Sequence, residues 1–108
     1  MINQEKMEKA LEYLAESERE WAELRAGKDL ESKRLEITLA SGIIDSNSST
    51  QSGKKVDALD SEDYKETVEQ YQQLLEAFYL VDAKRKRAEI TIDTWRTIEA
   101  SRRRGTIT

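Results

Sequence analysis

The chain of 108 residues has no cysteine, no histidine and no proline, and only four glycines. Without cysteine there is no disulfide and no thiolate nucleophile. With histidine missing too, the usual zinc ligand sets and every histidine-dependent triad are excluded. Aromatic residues make up 6% and hydrophobic residues 37%, too little for a thick, layered core. No apolar run approaches the ~20 residues of a membrane helix, and Met1 is followed by polar Asn3 to Lys6 instead of a signal-peptide core, so the expectation is a soluble, cytoplasmic protein. Glycine-rich phosphate loops, nucleotide fingerprints and calcium loops are absent from the sequence. Carboxylates abound, yet none is set apart by spacing or apolar surroundings that would fit it for acid/base work. The expectation is therefore a non-enzyme with no cofactor, no metal and no small-molecule substrate.

What the chain does have is charge, at 37% of residues, and long stretches without helix breakers. The net charge of −4 conceals an uneven layout. Residues 61–82 hold six acids against one base, whereas residues 83–108 hold eight bases against three acids. Long exposed helices suit this composition better than a β fold.

A first helix is predicted over about residues 3–40. Asn3 is placed to cap it, and Ile2 and Met7, five apart, fit a hydrophobic staple. Met7, Leu11, Leu14, Trp21, Leu35 and Leu39 fall on one face, with Ala10 beside them, and form the seam toward a partner helix. A weaker stripe of Ala22, Ala26, Leu30 and Ile37 lies well round the cylinder and predicts a second neighbour. Gly27 is either a tolerated helix defect, a bend or a close crossing of another backbone. Ser41-Gly42 reads as a helix end, glycine taking the left-handed conformation after the cap, and residues 41–59, rich in Ser, Asn and Thr, as a flexible loop.

A second helix is predicted over about residues 60–104, a span with neither glycine nor proline, with Asp60 as cap and Leu59 and Tyr64 as staple. Its seam reads Tyr64, Val68, Tyr71, Leu75 and Phe78 in coiled-coil spacing, drifting through Val81 and Ala88 to Ile92 and Trp95. Folding the helices antiparallel makes facing residue numbers sum to roughly 100, which sets Met7 near Ile92, Trp21 near Phe78 and Tyr79, and Leu35 near Tyr64. Leu35-Glu36-Ile37-Thr38-Leu39 and Ala88-Glu89-Ile90-Thr91-Ile92 alternate with period two as strands do, but strong helix formers embed both. The predicted fold is an all-α antiparallel long-helix hairpin, coiled-coil-like, in one domain. Two helices of this composition bury little apolar surface, so it is expected to dimerise into a helical bundle.

The conspicuous chemical feature is Lys84-Arg85-Lys86-Arg87, joined by Arg96 and by Arg102-Arg103-Arg104. Consecutive cations on a helix point in all directions. Some must face the first helix near Glu12, Glu16, Glu18 and Glu20, so internal charge pairing and phosphate binding both remain open. Arg102, Arg103 and Arg104 have the stronger claim to phosphate, lying past the expected end of the first helix. Trp95, near the open end of the hairpin, is a candidate protein-interface anchor with core packing as its alternative.

Residues Glu12 to Leu24 and Lys84 to Gly105, worded around the two tryptophans and the basic run, resemble a family of small uncharacterised proteins of tailed phages. The resemblance covers under half of the chain and carries no catalytic motif. It implies an accessory role in DNA replication or recombination, binding DNA or a host DNA-processing enzyme. The rival reading is a protein-binding adaptor or inhibitor that uses Trp95 and the acidic face of residues 61–82.

Overall fold

A computed structural model describes residues 2–107, with side chains as far as Gly105. The described residues form three helices and no strand: α1 (Gln4–Asp45), α2 (Gln51–Asp60) and α3 (Glu62–Ile107). The long helices α1 and α3 pack against each other as the antiparallel hairpin expected, and both period-two segments are helical throughout. No helix among the described residues is long and apolar enough to cross a membrane. The chain divides into two compact units, Met1–Ala22 with Tyr79–Thr108 and Glu23–Phe78.

The burial pattern is a heptad seam. On α1 a series of covered positions runs Met7, Ala10, Leu14, Ser17, Trp21, Leu24, Lys28, Glu31, Leu35, Thr38 and Gly42, with Tyr13, Gly27, Ser32, Leu39 and Ile43 half-buried at its flanks. On α3 the matching series runs Tyr64, Thr67, Tyr71, Leu74, Phe78, Val81, Arg85, Ala88, Ile92, Trp95 and Glu99, again with half-buried flanks that include Val68 and Leu75. Steps of three and four alternate without a break in both series, the 3.5-residue period of a coiled-coil interface. In the first unit Ala10, Ala88 and Ile92 form the centre, with Met7, Tyr13 and Leu14 packed on it. In the second, Gly27 lies against Leu74 and Lys28 stacks over the Phe78 ring at 5.0 Å.

Both seams differ from the sequence reading. Thr67 is buried and Val68 only half-buried, while Leu11 is exposed. Leu11 and Val68 are one step off the alternating series, and at Leu11 and Thr67 period decides burial more than hydrophobicity does. Polar seam residues are accommodated by local bonds. The Ser17 hydroxyl donates to the Tyr13 carbonyl at 2.6 Å and that of Thr67 to the Asp63 carbonyl at 2.7 Å, each back-bonding one turn along its own helix. Glu31 reaches Arg34 at 3.3 Å with one oxygen, and its other oxygen is buried with no hydrogen-bond partner.

The middle of the chain is more ordered than its composition implies. α1 continues through Gly42 to Asp45, and no glycine among the described residues has positive φ, so Ser41-Gly42 is not a left-handed cap. The expected flexible loop contracts to residues 46–50, followed by α2. Thr50 caps that helix, its hydroxyl accepting the Gly53 N–H at 3.0 Å, and the Ser46 hydroxyl donates to Asp57 at 2.6 Å. The serines and threonines that read as disorder act as caps. Ser61 breaks α2 from α3, its hydroxyl donating to the Ala58 carbonyl at 2.8 Å and accepting the Tyr64 N–H at 3.2 Å. With the cap at Ser61 and not Asp60, the residues flanking the first turn are Asp60 and Lys65, ion-paired at 3.0 Å, which raises the Lys65 pKa.

Gly42 is needed for proximity. A Cβ there would stand 2.8 Å from Ala58 Cβ and 3.0 Å from Ala58 Cα, and Ala58 is the most buried residue of α2. At Gly27 the added Cβ would meet only Leu74 Cδ2, at an ordinary 3.8 Å. Gly27→Ala should therefore stabilise the protein by about 1 kcal/mol through helix propensity. Gly42→Val should destabilise it by about 1–3 kcal/mol through overpacking against α2. Urea unfolding midpoints moving in opposite directions for the two variants would check this; a stabilising Gly42→Val would refute the close approach.

Candidate nucleic-acid interface

The Lys84 to Arg87 run is dispersed by helix geometry, each residue turning about 100° from the last. Arg85 occupies a seam position and points at α1. Its Nη1 donates to the Leu14 carbonyl and to the Ser17 hydroxyl, both at 2.8 Å, and its guanidinium stacks over Trp21 at 5.2 Å. Leu14 O belongs to a helical backbone, so Arg85 supplies a second donor to a carbonyl already in the α1 ladder. Arg85, expected to contact phosphate, is engaged within the hairpin by these three contacts.

Trp21 extends this node. Its indole N–H donates to Asp82 Oδ1 at 3.0 Å, and Asp82 Oδ2 pairs with Lys86 Nζ at 2.9 Å. The Lys86 ammonium first, and the indole N–H second, hold the Asp82 carboxyl below its ordinary range, and the same bond raises Lys86. Lys86 keeps an exposed side chain but carries its own counter-ion on the preceding turn.

The two remaining members of the run gain company from the other helix. Lys84 and Arg87 line a shallow, open groove with Lys6 and Lys9 of α1, over a floor that includes Ala10, Tyr13 and Ala88. Its volume of ≈ 550 Å³ exceeds a phosphate's needs and suits a larger anion with an apolar part. Lys9 pairs with Glu5 at 3.2 Å on an exposed face. Lys6, Lys84 and Arg87 form no ion pair among the described residues. Lys6 and Lys9 escaped the sequence reading because the signal was sought in runs of cations along the chain. Only the antiparallel pairing brings residues so far apart in number together. The cue was available in the sum of about 100, which sets Lys9 level with Thr91 and Lys84 level with Glu16, one turn from the groove at either end.

The other expected contacts are scattered. Arg96 stands nine residues, about half a turn in projection, from Arg87 and lines a separate groove with Leu11, Leu14, Glu89, Ile92 and Asp93. Arg102 pairs with Glu99 at 3.0 Å. Arg103 and Arg104 are exposed near the end of α3. Among the expected interface residues, Trp95 is half-buried at a seam position, and Ala22, Ala26, Leu30 and Ile37 are all exposed on α1. No protein-family model, curated protein or solved structure matches the chain.

The Asp82 node yields a signed pH dependence. A carboxyl whose folded value lies below its unfolded value of about 3.9 stabilises the fold above that value, and the contribution is lost as pH falls through the folded value. Asp82→Asn should lower the urea midpoint at neutral pH, and the gap from the parent protein should narrow as pH falls below the unfolded value of about 3.9. A gap that stays constant over that range would mean the ionised carboxylate is not what stabilises the node.

Proposed function

We propose that this protein is a non-enzymatic accessory protein that binds nucleic-acid phosphate in the groove formed by Lys6, Lys9, Lys84 and Arg87. The observation that carries this reading is the convergence of cations from two helices on one apolar-floored groove, three of them without an acidic partner among the described residues. Contacts within the hairpin account for Arg85 and Lys86 but leave these over. Guanidinium and ammonium groups on the rim grip phosphate oxygens, while the Tyr13 ring in the lining offers a face on which a base stacks. An open groove favours a strand lying across it over an enclosed small molecule. The resemblance to tailed-phage proteins around Trp21 and Lys84 to Gly105 supports DNA, and replication or recombination, as the setting. The adaptor reading draws less support, since Trp95, its anchor, sits half-covered in the seam.

Fluorescence anisotropy with single-stranded and duplex oligonucleotides over a salt series tests the proposal. The logarithm of the binding constant should fall with the logarithm of salt concentration with a slope of about −0.7 to −0.9 per phosphate engaged. Reversing two charges, Lys84→Glu with Arg87→Glu, should reduce the magnitude of that slope by about 1.5 and weaken binding at least about tenfold. Arg96→Glu, on the separate groove, should change it far less. Absence of binding to either nucleic acid at low salt overturns the proposal.

A further inference from the structure

The Glu23–Phe78 unit carries a second surface that the hairpin leaves uncovered. Leu30, Ile37 and Ile44 stand seven residues apart on α1, at 63%, 66% and 80% exposure. A spacing of seven keeps them in one line, since two turns of 3.6 nearly complete it. That line lies well round the helix from Lys28, Glu31, Leu35 and Thr38 of the seam. Ala26 and Ala40 border it and are exposed as well.

We propose that this stripe is the interface of a homodimer, in which α1 of a second copy lies antiparallel along it. Three observations favour a second copy over another occupant. The chain leaves 8209 Å² accessible, whereas a folded monomer of 12.5 kDa leaves about 6,200 Å². The difference of about 2,000 Å² falls within the roughly 1,000–2,500 Å² per partner that an obligate homodimer buries. Second, the stripe is self-complementary. A two-fold axis at Ile37 sets Leu30 of each copy against Ile44 of the other and Ile37 against itself, as an isologous contact requires.

Third, the charges agree with that register. Lys33 then faces Ser41 and Arg34 faces Ala40, so near the axis cations meet small residues, and the one like-charged pair of α1, Asp29 with Asp45, falls at the ends of the contact, where Asp29 carries Lys28 at 3.0 Å. Arg34, Ile37 and Ser41 also line a groove together with Asp63 and Glu66 of α3. The incoming Lys33, opposite Ser41, comes level with those acids. On their own helix Lys33 is only loosely held by Glu36, at 3.9 Å, and Arg34 is held by Glu31. An antiparallel α1 seated in this groove completes a four-helix arrangement, in which each copy contributes α1 and α3.

Sedimentation equilibrium of the full chain tests this directly. The parent protein should have twice the 12.5 kDa chain mass at micromolar concentration. Ile37→Asp should weaken the dimer at least about thirtyfold, the loss expected when a central contact is removed. Ile90→Asp, which changes an equally exposed residue of α3, should leave the mass unaltered. Because Ile37→Asp could unfold once monomeric, the melting temperature of the parent protein supplies a second readout and should rise with concentration over a hundredfold range. A single-chain mass with concentration-independent melting overturns the dimer. A dimer that survives Ile37→Asp, or dissociates with Ile90→Asp, overturns the assignment of its interface.

Discussion

The alternation of three and four residues along both long helices is the constraint on which everything else in this protein depends. It holds from Met7 to Gly42 and from Tyr64 to Glu99, whatever the residue that falls on it. A chain with this much charge meets the pattern by letting polar side chains into the seam, provided each finds a bond within reach. Ser17 and Thr67 bond to their own helices, Lys28 lies over Phe78, and Arg85 bonds across to α1. The hairpin is therefore held by a periodic strip of mixed character instead of a continuous oily core. Glu31, with one buried oxygen unpartnered, marks where this compromise is least complete.

The Arg85 node has a consequence for the whole electrostatic surface. One cation turned inward and another neutralised by Asp82 leave a basic run that looks like a single cluster in sequence as two outward charges, Lys84 and Arg87. Those two regain strength by joining Lys6 and Lys9. Charge that converges on one groove is thus assembled from opposite ends of the chain, and charge that is merely adjacent in sequence is divided between structure and surface. The same division separates Arg96 from the groove by about half a turn.

Near the turn, order comes from capping and close approach instead of hydrophobic area. Thr50 and Ser61 supply the bonds that start or stop helices, Ser46 ties the turn to Asp57 of α2, and Gly42 lets Ala58 come within contact of the α1 backbone. The short α2 buries only one residue well, yet it ties the two long helices together where they reverse.

Much of the fold could be read from residue order alone. The absence of proline, the scarcity of glycine and the helical spacing of Met7, Leu14, Trp21, Tyr64, Tyr71 and Phe78 determined two long helices, because local propensity and period act within a few residues of each position. The Asn3 cap and the antiparallel pairing of Met7 with Ile92 were legible for the same reason. Whether Gly42 ended a helix or admitted a neighbour, and whether Ser, Asn and Thr formed a loop or caps, depended on what came to lie beside them. So did the fate of each cation from Lys84 to Arg87, and the recruitment of Lys6 and Lys9. A side chain's direction is a local property, but its partner is set by residues some seventy positions away, and only the tertiary pairing of α1 with α3 decides that.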